Sequence, residues 1–305
     1  MKVTDCDLSI VIAAWPDTTG LSNCLESIAA QGDERTEVIV ASSTAAPPEM
    51  KERFPQVDWL AGGKERLIPE LWSLGLARAA GEIVATTTAH CVPASDWIAR
   101  MRGAHERLDA AGIGGAIDPP HQGRAIEWAT YFLRYSNYFA CRGAESVSEI
   151  AADNASYKRE ALMAHREAIS GGFWEPSFHR LLFADGRTLA FVPDIRVRLA
   201  ATPGFKRFFA QRLRHGRHFG HERMRGKPLP FRVAGLLAAP LIPILLLMKI
   251  TRRLFAQPAY LGAFLRSLPL LLLFLLSWAF GEAWGYLAAL SSDSSSLAAE
   301  RHVSA

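Results

Sequence analysis

Thr88, Ala89, His90 and Cys91 stand where a buried strand should end and a helix should begin. Gly81 interrupts the helical pattern before them. Residues 82–87 form a short β-branched run that suits a strand interior. Pro93 and Ser95 close the turn, and Ser95 is placed to cap a helix starting near Asp96. Ligands of open α/β sheets bind outside the carboxyl ends of the strands. Hydroxyl, imidazole and thiol groups gathered at such an end therefore make a candidate active-site floor. An ordinary strand-to-helix connection has the same appearance, and position alone leaves the two readings level.

Several chemistries are disfavoured at once. Cys6, Cys24, Cys91 and Cys141 are scattered and form no CxxC pair. That suits a reducing compartment and argues against a disulfide framework or a structural zinc site. Gly62-Gly63-Lys64 lacks the upstream glycine and the following Ser or Thr of a phosphate-cradling P-loop. There is no GxGxxG, so a soluble dehydrogenase lacks its glycine fingerprint.

The elements that must position the strand tip alternate. Apolar strand-length runs at 8–14, 37–41, 57–61 and 82–87 are separated by helical patterns at 21–30, 69–80 and 96–108. Asp17, Thr18 and Thr19 offer caps for the first helix. This spacing predicts an α/β fold with a Rossmann-type, mostly parallel sheet flanked by helices. Further on, a strand is expected at 112–118, and an aromatic-rich helix at 124–140 whose rings read as core packing rather than a sugar-stacking face. Helices follow near 158–166 and at 174–184. Two short strands, 188–192 and 195–199, flank Pro193-Asp194.

The last third changes character. Between Lys206 and Arg232 lie nine Lys or Arg and almost no acid. Phe205, Phe208, Phe209 and Leu213 share a helical face within that block, an interfacial amphipathic pattern. A basic helix packed on the preceding domain would read the same way. The block precedes apolar residues 233–248, which contain Pro240 and Pro243, and then 268–290, which contain Glu282. The pairing of basic and apolar segments points to membrane lipids, with no zinc-finger or RNA-binding signature to suggest nucleic acid. In one topology both blocks span. In the other the first is re-entrant or interfacial, and all the basic residues stay on the cytoplasmic side. The expected organisation is a catalytic domain over 1–203, a basic interfacial segment over 204–230, membrane-associated helices over 231–290 and a polar tail over 291–305.

Taken together, five segments resemble family 2 glycosyltransferases of GT-A fold. LSIVIAAWPDTTGLSNCLESIAAQ is similar to their first strand, donor-binding turn and helix. EVIVASS is similar to their second strand. AAGEIVATTTAHCVPASDW resembles the strand carrying their Asp-x-Asp metal motif. DNASYKREAL resembles the segment after the acceptor region. WEPSFHRLLFADGRTLAFVPD resembles the region that supplies the catalytic base. QRLRH faintly resembles the Gln-x-x-Arg-Trp motif of processive synthases, with His in the Trp place. The resemblance covers residues 8–199 and implies a bacterial membrane-associated, inverting enzyme. That enzyme would move a sugar from a nucleotide-sugar to a lipid or cell-envelope glycan acceptor at the cytoplasmic face of the inner membrane.

The resemblance also implies roles. Glu175, a lone carboxylate between Trp174 and Pro176, falls on the base position, where it would deprotonate the acceptor hydroxyl. A helix N-terminal Glu held by the dipole is the plainer alternative. Ala13, Trp15, Ser42, Arg66, Thr88 and Asn154 fall on the donor side, with Ser42 and Ser43 in place of the usual acidic pair. The metal carboxylates fall on Thr88, Ala89 and His90, leaving His90 as a ligand for a divalent ion, Mn2+ or Mg2+, with His179 one turn past Glu175 as a second. Without an ion, Lys64, Arg66, Arg180 or Arg214 would have to neutralise the diphosphate. Arg180, Gln211 and Arg214 are the acceptor or diphosphate candidates. The missing carboxylates motivate one competing reading, a catalytically degenerate GT-A-like membrane scaffold.

Overall fold

Leu8–Ala14 forms β1 and is buried at all seven positions. Parallel strands lie on both sides of it, which is why its sequence is an unbroken apolar run rather than an alternating one. The computed structural model that shows this describes residues 6–14, 18–32, 34–63, 66–120, 123–140 and 145–303. Two compact units result, one from residues 1–121 and 138–201, the other from 122–137 and 202–305.

In the first unit, α1 (Thr18–Ala29) buries Leu21, Cys24, Leu25 and Ile28, as its spacing predicts. The strand β2 (Thr36–Ser42) runs parallel to β1. After α2 (Pro48–Arg53), β3 (Asp58–Ala61) extends the sheet parallel to β2. The helix α3 (Ile68–Arg78) places Leu71, Trp72 and Leu76 in the core, and β4 (Ile83–Thr88) then pairs with the other side of β1, again parallel. Up to this point the sheet is the expected parallel one.

Beyond β4 the sheet is mixed. It is completed by β5 (Cys91–Pro93), α4 (Trp97–Arg107), β6 (Gly112–Asp118), β7 (Glu145–Val147), β8 (Asn154–Lys158), α6 (Arg159–Ala164), α7 (Arg166–Ile169), α8 (Glu175–Ala184) and β9 (Leu189–Leu199). The numbering passes over α5 (Ala125–Tyr135), which belongs to the second unit. Among the described residues the strand order is β3-β2-β1-β4-β8-β6-β9-β5, with β7 on β9. The strand β8 is antiparallel to both β4 and β6.

The two short strands expected around Pro193 are one strand, β9. Proline cannot donate to a ladder. The register accordingly jumps, with Gly115 opposite Val192 but Ala116 opposite Arg196. The displaced backbone crowds Gly115, where a Cβ would sit 2.0 Å from the Ile195 carbonyl oxygen. The expected Ser95 cap is absent. Asp96 occupies the N-cap of α4 without a side-chain cap bond and pairs with Arg100 instead.

The second unit contains α5, α9 (Phe205–Met224), α10 (Leu229–Ala238), α11 (Ile242–Leu254) and α12 (Leu261–Val303). The aromatic face of α5 is core packing, as expected, but against a partner outside the expected catalytic domain. Phe132 meets Phe264 edge-on at 5.4 Å, and Trp128 and Tyr131 pack on Tyr260 at 5.4 and 6.3 Å. The first apolar block is longer than its sequence pattern. It runs from Leu229 to Leu254, broken by a 3-10 turn at Ala239–Leu241 where Pro240 sits. Leu229–Leu254 and Pro258–Ala289 are each long and apolar enough to cross a membrane. Residues 291–303, expected as a polar tail, continue α12 as helix.

Candidate active site

The parallel strands β1, β2 and β4 end in register, with Ala14 opposite Ser42 and Ala13 opposite Thr88. The antiparallel strand β8 starts at the same edge, with Asn154 opposite Thr87. Whatever immediately precedes β8 is therefore delivered to the tip of β4. That residue is Asp153. Thr87 donates its hydroxyl to the Asp153 carbonyl at 2.9 Å, and Thr88 donates to Asp153 Oδ1 at 3.0 Å. The Trp72 indole N–H holds the Thr87 carbonyl from behind at 2.8 Å. The backbone of the tip is fixed from two sides, since Ala89 N–H donates to the Ala13 carbonyl at 3.0 Å and the His90 carbonyl accepts from Ala200 N–H at 2.8 Å. On this frame His90 Nε2 stands 3.7 Å from Asp153 Oδ1. The Asp153 side chain is 6 % exposed and that of His90 19 %.

Glu175 reaches the same loop. It is the first residue of α8, with Pro176 behind it and Trp174 at the N-cap. Proline fits the first turn of a helix, where its missing N–H costs nothing. Glu175 Oε1 accepts the Ala152 N–H at 3.3 Å. The consecutive residues Ala152 and Asp153 thus connect the carboxylate on α8 to the tip of β4. Among the described residues Asp153 meets Thr88 and His90, and Glu175 holds the backbone of Ala152, the residue before Asp153. Sequence reasoning missed Asp153. It lies in the segment DNASYKREAL, but nothing in the sequence revealed that residues 154–158 return antiparallel beside β4.

Two expected roles are corrected by this geometry. Asn154 does not face a donor. It is fully buried, its amide donates to the carbonyls of Ala116 at 2.8 Å and Ile195 at 2.9 Å, and its Oδ1 accepts from Trp97 Nε1 at 2.8 Å. One side chain thereby pins β8 to β6, to the displaced part of β9 and to α4. His179 is not at the strand tip. It is 2 % exposed among Tyr157 and Phe178, with Nε2 2.9 Å from the Tyr157 hydroxyl.

Burial lowers the pKa of His179 from the usual 6.5 to about 4. Between those values the unfolded chain binds a proton that the folded protein excludes. The stability this residue contributes is complete above pH 6.5 and is lost as pH falls toward 4. In urea titrations between pH 7 and 4, wild type should lose about 3 kcal/mol more than His179→Gln. Equal slopes would show that His179 does not titrate this way.

The remaining site residues divide by location. Ala13 is buried and offers only backbone. Ser42 Oγ accepts the Thr44 N–H at 3.4 Å, and its carbonyl accepts from Gly62 N–H at 2.7 Å. Beside it the Ser43 hydroxyl is buried with no partner among the described residues. Arg66 and Arg180 are exposed, and Arg180 donates to Ser177 Oγ at 3.0 Å. Trp15, Lys64, Asp17 and Cys141 lie outside the described residues. Gln211 and Arg214 are on α9 in the second unit, Gln211 buried and Arg214 exposed.

Residues 9–166, more than half of the chain, match the sequence model of Glycosyl transferase family 2. The chain belongs to that family. This family 2 glycosyltransferase has the GT-A fold, as its resemblance to solved structures shows. The mannosyltransferase PcManGT from Pyrobaculum calidifontis, solved in complex with GDP-Man and Mn2+, superposes with a TM-score of 0.57 at 16 % identity, covering 93 % of this chain and 89 % of that one. GalNAc-T7, solved with UDP, GalNAc and Mn2+, gives a TM-score of 0.48 at 16 % identity, covering 65 % of this chain and 44 % of that one. No curated protein matches the sequence.

Proposed function

We propose that this family 2 glycosyltransferase moves a sugar from a nucleotide-sugar to an amphiphilic lipid or envelope-glycan acceptor, with inversion, at the cytoplasmic face of the inner membrane. The observation that carries the chemistry is the loop before β8, where Glu175 accepts the Ala152 N–H and the next residue, Asp153, stands 3.7 Å from His90 at the tip of β4. The two apolar helical stretches support work at a membrane, where an amphiphilic acceptor would be held near the enzyme.

In this reading Glu175 takes the proton of the acceptor hydroxyl as that oxygen attacks the anomeric carbon from the face opposite the leaving group. The anomeric C–O bond breaks, and the nucleoside diphosphate departs with the bonding pair. The second strand tip, with the buried Ser43 hydroxyl lacking a partner among the described residues, is where the nucleoside would find a hydrogen bond.

The departing diphosphate needs positive charge. Among the described residues no three His, Cys, Asp or Glu converge on one point. Asp153 and His90, with Oδ1 and Nε2 3.7 Å apart, are the residues that would hold an ion there, with diphosphate and water as its other ligands. Mixed oxygen and imidazole donors suit Mn2+ better than Mg2+. When bound, the ion would neutralise the leaving group's charge.

Isothermal calorimetry with GDP- and UDP-sugars, with and without Mn2+, tests the reading. Saturable binding of one donor, tightened by Mn2+, is expected. The mannosyltransferase solved with GDP-Man and Mn2+ makes that pair the first to try. Absence of binding by every donor would overturn it and leave the shell of the fold without donor chemistry.

A further inference from the structure

The second unit settles its charges in a way that bears on how it meets a membrane. The helices α9 and α12 run parallel in close contact. Phe208 packs edge-on against Phe274 at 4.7 Å, and Ser277 Oγ donates to the Phe209 carbonyl at 2.8 Å. Glycines let the backbones touch. A Cβ on Gly281 would lie 2.2 Å from the Leu213 carbonyl oxygen, and one on Gly220 would lie 2.3 Å from that of Glu282. Glu282, the one acid in the apolar stretch of α12, is turned into this seam and 1 % exposed. It pairs with Arg223 at 2.6 Å and accepts from Trp278 Nε1 at 2.9 Å and the Tyr286 hydroxyl at 2.5 Å.

The outer side of α9 is basic, with Arg207, Arg214 and Arg217 exposed. This charged helix therefore flanks α12 from Phe274 to Tyr286. At the other end α5, with Arg124 and Glu127 in its first turn region, packs beside Tyr260 and Phe264. Phe264 and Phe274 stand ten positions apart on α12, about 15 Å of helix. A bilayer core needs about 30 Å. A crossing by Pro258–Ala289 would carry the flanks of α5 and α9 into hydrocarbon.

The exposed apolar residues follow the same division. Leu265, Leu272, Leu276, Phe280 and Leu287 are exposed at helical spacing along one side of α12, and Phe280 is 68 % exposed. On α10 and α11, Leu237, Ile244 and Met248 are exposed as well. At the seam, the Arg217 guanidinium lies 4.8 Å over the half-exposed Trp284 ring, a cation and an indole together where apolar and charged surfaces meet.

We infer that the second unit lies in the plane of one leaflet, with the apolar side of α12 in the acyl region and the guanidinium groups of α9 against anionic headgroups. This rests on the membrane reading above and sharpens it. Neither apolar stretch crosses, and Glu282 stays in the protein seam at the interface. The partner is an anionic lipid leaflet, because the apolar stripe is bordered by excess positive charge, which a second copy of the same surface would not complement.

The test uses the full-length protein and sealed vesicles of phosphatidylcholine with 30 % phosphatidylglycerol. Cosedimentation is expected, weaker by about fivefold for Arg217→Gln and on raising salt. Failure to bind any vesicle would overturn the membrane reading itself. Single cysteines at Glu222 on α9 and Ala256 between α11 and α12 should then react with an impermeant maleimide from the same side. Labelling of Ala256→Cys only from the opposite side would overturn the in-plane arrangement while leaving membrane binding intact. Spin labels at Leu265, Leu276 and Leu287 should report one shallow depth. A maximum at Leu276, or label–label coupling without lipid contact, would overturn it in favour of a span or of a second copy.

Discussion

Glu175→Gln should lose 10²- to 10⁴-fold in turnover, about 3–5 kcal/mol of barrier, while binding donor as tightly as wild type. The substitution is chosen for what it preserves. Gln keeps an acceptor oxygen at the same reach, so the Ala152 N–H bond at 3.3 Å and the loop before β8 are retained. It cannot take a proton from an acceptor hydroxyl. The competing account makes Glu175 a helix N-terminal carboxylate, since it begins α8. In that role its charge would contribute about 0.3–1 kcal/mol to stability and nothing to turnover. The two accounts separate cleanly. A lowered melting temperature with full activity would establish the structural role, and lost activity with an unchanged melting temperature would establish the base. Donor affinity is measured alongside by calorimetry, so that a fall in turnover is not mistaken for a displaced nucleotide-sugar.

The parallel half of the fold was legible because its central strands, β1 and β4 above all, are buried on both faces and bounded by turn residues. Leu8–Ala14 reads as one apolar run for that reason, and its ends fall where expected. The antiparallel half was not legible, because pairing is a property of topology rather than of composition. Residues 154–158 carry Asn, Ser and Lys and look like a lead into a helix, yet they form the strand that places Asp153 against Thr88. The same blindness misassigned Asn154, whose polar side chain suggested a ligand while its environment makes it a bracket between strands. His179 was misplaced by arguing from helical spacing alone. A residue four past Glu175 shares its face in one dimension, but the face turns inward onto Tyr157 within a single turn. Glu175 was singled out by counting back from Gly186 within the resembling segment, and the structure places it at the first position of α8 with its carboxylate on the Ala152 N–H.

Asp153→Asn should abolish the Mn2+ enhancement of donor binding, on the order of 100-fold or about 3 kcal/mol, without costing stability. The prediction follows from what the carboxylate does in the fold. It is buried, and the Thr88 hydroxyl donates to it at 3.0 Å. Asn presents an oxygen to the same hydroxyl and removes a desolvated charge, so folding should be unchanged or improved. A neutral variant as stable as wild type that loses the Mn2+ enhancement would assign the carboxylate to chemistry rather than packing. If the carboxylate were only a clamp for the strand tip, the neutral isostere would leave Mn2+ dependence intact, and that result would exclude Asp153 as a ligand. His90→Ala completes the argument. Should Asp153 and His90 hold one ion, the double variant must lose much less than the sum of the single losses, because the second removal acts on a site already emptied. Strict additivity would mean that the two residues, though 3.7 Å apart, serve separate purposes. The cycle is read by calorimetry of Mn2+ with the donor nucleotide, which requires no acceptor and no knowledge of the sugar transferred.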